Sequence, residues 1–589
     1  MNNYFTDNPT LERVLRHPAL KEIVRLREGN FAEASRYDFA PRNIEEAIED
    51  YREIMVQMGA ICGEGIAPNA REVDLQGPRL EEGRVIYAEG TQQNHRLLTE
   101  AGLYGMTLER RFGGLNMPTT LFVMATELVA RADGGFACLW ALQNCAETIA
   151  AFGSEEQKER YLQRVVAGAT CSMDLTEPDA GSDLQSAMLR ATWSEERGMW
   201  LLNGVKRFIT NGDADLKLVL ARTENGTTDA RGLSLFLVDR EQGGVSVRRI
   251  EKKLGIKGSA TCELVFENAP AELVGMRRMG LIRYVMSLMN AARLGIGAQS
   301  VGIAEAALRE AETYAAQRLQ FGRPIARLAA VNELLRSIRT RIDASRALLY
   351  ETARQVDRTQ SYGLKLKAEG LEEEERQALK HAQQLADMYT PLLKLMAGEA
   401  CNRIAYDALQ VFGGSGYMQD FPIERLYRDA RVVTIYEGTS QMQVIAAMKY
   451  VSGGILSAHI GQLIAEAPQD HPHRAAYDRL APLAMRYEKL IGDTTAEGEV
   501  CVEYHARRLV ECGAMLLMAL LLIAEADDTR STHSMNHFLL MTEALFAEHE
   551  HSIRTLRAAE IENLMQEDIE ASTYSASIEE EASSSVSCL

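Results

Sequence analysis

The chain has 589 residues, 46% of them hydrophobic and 25% charged, a composition that fits a folded globular protein too long for a single core. A formal charge of −19 with a pI near 5.2 weighs against nucleic acid and anionic membrane surfaces as main partners. Nine scattered cysteines form no Cys-x-x-Cys pair or metal-ligand spacing, and residues 1–20 carry no secretory pattern, so free thiols in a cytoplasmic location are expected.

Residues 1–45 place Leu11, Val14, Leu15, Leu20, Ile23 and Val24 at helical spacing, which predicts a helical arm docked on the body. Residues 46–168 read as an all-α domain, with helical periodicity through Ile66 and again over 84–103, 119–132, 136–152 and 154–167. The turn-rich stretch 110–118 interrupts it.

At Cys171 the texture changes, and residues 169–275 read as a compact antiparallel β domain. Strands fit 189–194, 199–202, 216–222, 233–238, 245–249 and 262–266, and Asn203-Gly204 is a two-residue hairpin signal.

Residues 276–451 return to helix over 277–317, 325–356, 373–414 and 440–450, with 357–372 reading as an insertion. Beyond the Ser452-Gly453-Gly454 hinge, residues 452–567 form an additional helical domain over 455–467, 475–491, 496–527 and 533–565. Its apolar run 512–524 is too short to cross a bilayer, so no integral membrane segment is expected. His533 and His537 share a helix face without a third ligand, and no metal site is expected. Residues 568–589 are acidic and serine-rich, the composition of a disordered tail. The fold class is therefore α+β, mostly α.

The stretch Ile435-Tyr436-Glu437-Gly438-Thr439-Ser440-Gln441 crosses from irregular backbone into a helix. Gly438 frees the chain beside the carboxylate, and Thr439 or Ser440 is a natural N-cap. A carboxylate turned into a cleft beside Tyr436, with few charges around it, is raised toward general-base values. Upstream lies Gln410-Val-Phe-Gly-Gly414-Ser-Gly-Tyr, running on to Asp429. Leu175-Thr-Glu-Pro-Asp-Ala-Gly-Ser182-Asp and Tyr314-Ala-Ala-Gln-Arg318-Leu-Gln-Phe321-Gly-Arg-Pro-Ile325 precede it. No strand-coupled Gly-x-Gly-x-x-Gly is present, so a nicotinamide Rossmann site is not expected.

These three motifs, in this order, resemble those of the acyl-CoA dehydrogenase family over roughly residues 46–450. The chain length and C-terminal extension are similar to the branch that includes methylthiopropanoyl-CoA dehydrogenases. The resemblance implies an N-terminal helical domain, a flavin-facing β domain, a C-terminal four-helix-bundle domain and the extra helical domain. It implies FAD as cofactor, with Met173, Leu175, Thr176, Phe208 and Thr210 at the flavin ring and Ser182 at the pyrophosphate and substrate. Phe208 stands where the family usually has Trp.

Arg318, Phe321, Gln410 and Gly414 match positions that bind the ADP half of a neighbouring subunit's FAD, which implies a homodimer. Thr439 and Gln441 match further FAD contacts. Asn290 and Arg293 match a CoA-contacting pair that is usually Asp-x-x-Arg, while Tyr436 and Gly438 flank the base on the substrate side. The implied reaction is dehydrogenation of an acyl-CoA thioester to trans-2-enoyl-CoA, as in fatty acid metabolism. Glu437 takes the α-proton, flavin N5 the β-hydride, and an electron-transferring flavoprotein the electrons. An acyl-CoA oxidase, an enoyl-CoA reductase, or an alkylation-response flavoprotein that binds DNA are the alternatives; Glu437 and the net charge argue against the last.

Overall fold

The structure is a computed structural model that describes residues 2–566. The serine-rich acidic end lies outside the described residues. The chain forms two compact units, one ending at Ser440 and one starting at Gln441.

In the first unit, α1 (Pro9–Arg16) and α2 (Pro18–Arg27) form the N-terminal arm, each started by proline in its first turn. Ion pairs fasten the arm to the body. The Arg110 guanidinium donates to both oxygens of buried Glu28, at 2.7 and 2.9 Å, and Arg131 forks onto Asp7 at 2.6 Å.

The N-terminal helical block follows: α3 (Ile44–Ala60), α4 (Ala70–Gln76), α5 (Glu89–Glu100), α6 (Thr119–Ala132), α7 (Gly134–Ala141), α8 (Asn144–Phe152) and α9 (Glu155–Val166). The periodicity over 84–103 predicts helix from its first residue. Instead β1 (Arg79–Glu81) and β2 (Arg84–Ile86) form a hairpin, and helix starts only at Glu89. Asp213 decides this, because its carboxylate accepts from the Val85 backbone N–H and the Arg84 side chain and holds that segment extended.

The β domain contains β3 (Cys171–Asp174), β4 (Arg190–Ser194), β5 (Met199–Thr210), β6 (Leu216–Arg222), β7 (Leu233–Asp239), β8 (Val245–Ile250) and β9 (Thr261–Val274). Two expectations are corrected here. The sheet is not wholly antiparallel, since β3 pairs parallel with β6. Asn203-Gly204 is not a hairpin turn but an irregularity inside β5. The turn before β5 is closed by Gly198 N–H on the Ser194 carbonyl, at 2.8 Å. Gly204 is required by close approach, because a Cβ there would stand 3.1 Å from the Leu189 Cα.

Three long helices, α10 (Met286–Gln317), α11 (Ala329–Ala368) and α12 (Glu373–Phe412), pack on one another and on α6. The hairpin of β10 (Leu319–Gln320) and β11 (Arg323–Pro324) separates the first two, and α13 (Ile423–Ala430) follows the third. The stretch read as an insertion over 357–372 is largely the last three turns of α11. Its inward face is occupied: buried Asp357 accepts from the backbone N–H groups of Thr119 and Thr120 and so caps α6, which has no local cap. Tyr362 and Arg358 both donate to Glu22 of α2, at 3.0 and 3.1 Å.

The second unit contains all of α14 (Ser440–Ser452) after its first residue, then α15 (Ile455–Glu466), α16 (Arg474–Ala496), α17 (Glu499–Glu525) and α18 (Thr529–Thr555). The apolar stretch of α17 is buried, with Leu516, Leu517 and Ile523 fully enclosed. Among the described residues no single helix is long and apolar enough to cross a membrane, and no group of His, Cys, Asp and Glu could hold a metal ion.

Candidate active site

The Glu437 stretch lies between a 3₁₀ turn at Arg431–Thr434 and the start of α14 at Ser440, which puts Thr439 in the N-cap position. Glu437 and Gly438 both have left-handed backbone, φ 55° and 89°. That conformation costs a glutamate on the order of 1–3 kcal/mol, so the surroundings must hold it. They do so from two helices. Arg293 of α10 donates its Nε–H to the Glu437 carbonyl at 3.4 Å, and Lys394 of α12 donates to the Gly438 carbonyl at 2.5 Å. The Tyr436 hydroxyl donates to Gln299, whose amide in turn donates to the Gly134 carbonyl at 2.8 Å.

The same geometry sets the electrostatics. Burial pushes the Glu437 carboxyl above the ordinary carboxylate range, while Arg293 and Lys394 pull it back. Burial also holds the Lys394 ammonium down at about 8 despite the attraction of Glu437. The surroundings therefore differ from the charge-poor setting expected, because two buried cations face the carboxylate.

The opposite wall comes from the β domain. Met173 of β3 and Thr210 of β5 line the same small cavity as Tyr436 and Glu437. Behind that wall the fully buried Lys206 donates to the Leu175 carbonyl and to Glu177, both at 2.8 Å. Glu177 accepts the backbone N–H groups of Met188 and Leu189, and Arg207 N–H bonds the Thr176 carbonyl at 3.0 Å. The Leu175–Thr176 turn and the end of β5 are thus tied side by side. Phe208 sits there at a bulge with φ 62°, its ring 51% exposed.

This wall fits the flavin that the resemblance implies. An apolar ring is held out of the core by a strained backbone, next to partly exposed Met173, Thr176 and Thr210. Ser182 is exposed on the loop that follows.

Asn290 and Arg293 lie together on α10, with the Arg293 Nη1 donating to the Asn290 Oδ1 at 3.1 Å. Arg293 is buried and reaches the Glu437 loop. Arg318, Phe321, Gln410 and Gly414 form a separate group. Tyr314 stacks on Phe412 at 4.2 Å and brings the β10–β11 hairpin beside the end of α12. Arg318 does not pair with Glu312, which binds Arg339 instead. Arg318 and Gln410 are exposed, Phe321 at the hairpin tip is 88% exposed, and a Cβ on Gly413 or Gly414 would meet nothing within 4 Å. A forked cation and bare glycine backbone suit a pyrophosphate. Gln441 lies in the first turn of α14, at the start of the second unit.

Sequence reading missed Lys394, Gln299 and Asn144. Lys394 carried a signal, a lone cation in Leu392-Leu393-Lys394-Leu395-Met396, where an amphipathic helix would show an apolar face. Gln299 and Asn144 carried none, because their role follows only from which elements meet.

Comparison with known proteins places the chain in a family. Residues 48–169, 172–269 and 282–451 match the acyl-CoA dehydrogenase N-terminal, middle and C-terminal domain models, and 458–561 match a further model described as acyl-CoA dehydrogenase C terminal. The chain is 37% identical over 360 residues to an acyl-CoA dehydrogenase of Bacillus subtilis strain 168, covering 60% of this chain and 88% of that one. It is 34% identical over 422 residues to the 3-methylmercaptopropionyl-CoA dehydrogenase of Ruegeria pomeroyi, covering 67% and 69%. The solved FAD complex of an acyl-CoA dehydrogenase from Bacillus anthracis superimposes with a TM-score of 0.71 at 23% identity, covering 88% of this chain and 90% of that one.

Proposed function

Because the chain belongs to the acyl-CoA dehydrogenase family of FAD-dependent oxidoreductases acting on CoA thioesters, we propose that it converts an acyl-CoA to trans-2-enoyl-CoA with Glu437 as base. One observation carries this reading: Glu437 shares its cavity with Met173 and Thr210 of the flavin-facing wall. A base and a hydride acceptor must stand on opposite sides of the same Cα–Cβ bond, and this cleft has both walls.

Met173, Leu175, Thr176, Phe208 and Thr210 would hold the flavin ring, and Ser182 its pyrophosphate. When bound, FAD supplies at N5 the hydride acceptor that no side chain can provide. Glu437 accepts the α-proton. Its raised affinity for protons makes it a stronger base than an ordinary carboxylate, and Arg293 and Lys394 keep the carboxylate form accessible. The Glu437 peptide N–H polarises the thioester carbonyl as it gains enolate character, and the bonds from Arg293 and Lys394 to the Glu437 and Gly438 carbonyls hold the loop that presents it. Tyr436 and Gly438 shape the substrate side, and Asn290 acts with Arg293. Anaerobic mixing with a panel of acyl-CoA thioesters tests the function: at least one must bleach the flavin and yield the 2-enoyl product, and a protein that no thioester bleaches is not a dehydrogenase.

Lys394 sets a pH dependence. Lys394→Met removes a cation from the cleft, so the Glu437 carboxyl holds its proton to higher pH. The alkaline-rising limb of the bleaching rate is expected to move upward relative to wild type, and a limb at the same pH would remove Lys394 from the electrostatics of the base.

The proposal extends to a cytoplasmic homodimer that passes electrons to an electron-transferring flavoprotein. The exposed Arg318, Phe321, Gln410 and Gly414 support it, since they form a surface suited to the ADP half of a partner's FAD. The eight described cysteines, all free and buried, suit a reducing compartment. Arg318→Ala is expected to weaken FAD retention by about 1.5–3 kcal/mol, the worth of a hydrogen bond to a charged group. Flavin released on dilution measures it.

A further inference from the structure

Asn144, the first residue of α8, is 5% exposed, and its side-chain Oδ1 has no hydrogen-bond partner. Buried carboxamides are ordinarily satisfied, and one left unpaired costs stability unless a ligand completes it. Its position is specific. Asn144 lines the Glu437 cavity, where Ala137, Cys138, Ala141 and Leu142 make up much of the helical wall. It also lines a second cavity of about 330 Å³ enclosed by α8, α10, α11 and α12. That second space has mixed walls, with Phe152 and Val356 among the apolar residues that line it. Asn290 and Gln360 face it, and so do two carboxyl side chains, Glu147 and Asp387. Glu147 already accepts a hydrogen bond from the Thr107 hydroxyl at 2.6 Å.

A plain alkyl chain packs on the apolar part of that lining but leaves the Asn144 oxygen unpaired. A tail carboxylate meets two acidic side chains of its own sign. A hydroxyl donates to the Asn144 oxygen and finds further partners in the second cavity. On the reading of Glu437 as the base of an acyl-CoA dehydrogenase, we infer that Asn144 is a specificity-determining residue that selects acyl-CoA thioesters carrying a neutral hydrogen-bond donor, such as a hydroxyl, on the acyl tail.

The test compares hexanoyl-CoA, 6-hydroxyhexanoyl-CoA and adipoyl-CoA, which differ only at the tail, by flavin bleaching of the holoenzyme. The hydroxylated thioester is expected to show a kcat/KM about tenfold or more above the plain one, and the carboxylate to be the poorest. In Asn144→Leu the hydroxyl-to-plain ratio should fall to about one. Equal wild-type values for the hydroxylated and plain thioesters would overturn the inference while leaving the dehydrogenase reading intact. So would an Asn144→Leu variant that loses both in the same proportion, because the carboxamide would then bind a group common to all CoA thioesters, such as a pantetheine amide. Bleaching by none of the three, with no response to any other thioester, would instead overturn the dehydrogenase reading itself. The wild-type ratio decides the matter even if the variant does not fold.

Discussion

Glu437→Gln is expected to slow flavin bleaching at saturating thioester by about 10²–10⁴-fold, the usual worth of a positioned general base. The amide keeps the shape of the side chain but cannot accept the α-proton. The loss should therefore appear in the rate at saturation with KM nearly constant, the signature of an interaction used only in the transition state. Flavin content should not change, because Met173, Leu175, Thr176, Phe208 and Thr210 are untouched. In wild type the bleaching rate should rise with pH as the Glu437 carboxyl loses its proton, at a pH above the ordinary carboxylate range because burial disfavours the charge. The variant should lack that limb. Rapid-mixing spectroscopy over pH 5–9 checks both, and a variant bleaching near the wild-type rate would sink the assignment.

Arg346→Leu is expected to cost about 3–5 kcal/mol of stability, read from denaturant unfolding of the holoprotein. The Arg346 guanidinium is 3% exposed and joins three helices: it donates to Glu127 of α6 at 2.7 and 3.0 Å and to Glu305 of α10 at 2.9 Å. Removing it leaves two buried carboxylates facing each other, with Tyr350 still donating to Glu127 and Arg309 to Glu305. Burial alone pushes Glu305 up, but Arg346 and Arg309 overcome it and hold the carboxyl down at about 2. A depressed folded-state value means the stabilisation is complete above about pH 4.3, the unfolded value, and is lost as pH falls toward 2. Without Arg346 the carboxyl protonates more readily, so the gap between variant and wild type should narrow on acidification. A gap that stays constant from pH 7 down to about 2 would mean the pair does not act through charge.

Much of the fold was legible because its signals are local. Helical periodicity marks α6, α9 and α12 within a few residues of their ends, and the break at Cys171 coincides with the first strand of the β domain. The turn at Gly438 and the helix after it are readable from a glycine and two capping residues, and the structure starts that helix at Ser440. The failures are equally physical. The hairpin at 79–86 is held by Asp213, more than a hundred residues away, and Asn203-Gly204 serves a close approach to Leu189 rather than a turn. The last turns of α11 read as an insertion because their partners, Glu22 and the N-terminus of α6, are invisible in a local window.

What the sequence determined by itself is the family, the layout of helices and strands, and the place of Glu437 in a turn just ahead of a helix, since backbone propensities and motif residues are written in short stretches. Tertiary structure alone decided how that carboxylate is set. Arg293 and Lys394 come from two helices, Met173 and Thr210 from two strands, and Asn144 from a third helix, at separations of 43 to about 290 residues along the chain. A charge in a low-dielectric cleft responds to what lies within a few ångströms, whatever its distance in sequence, and only packing puts these groups there.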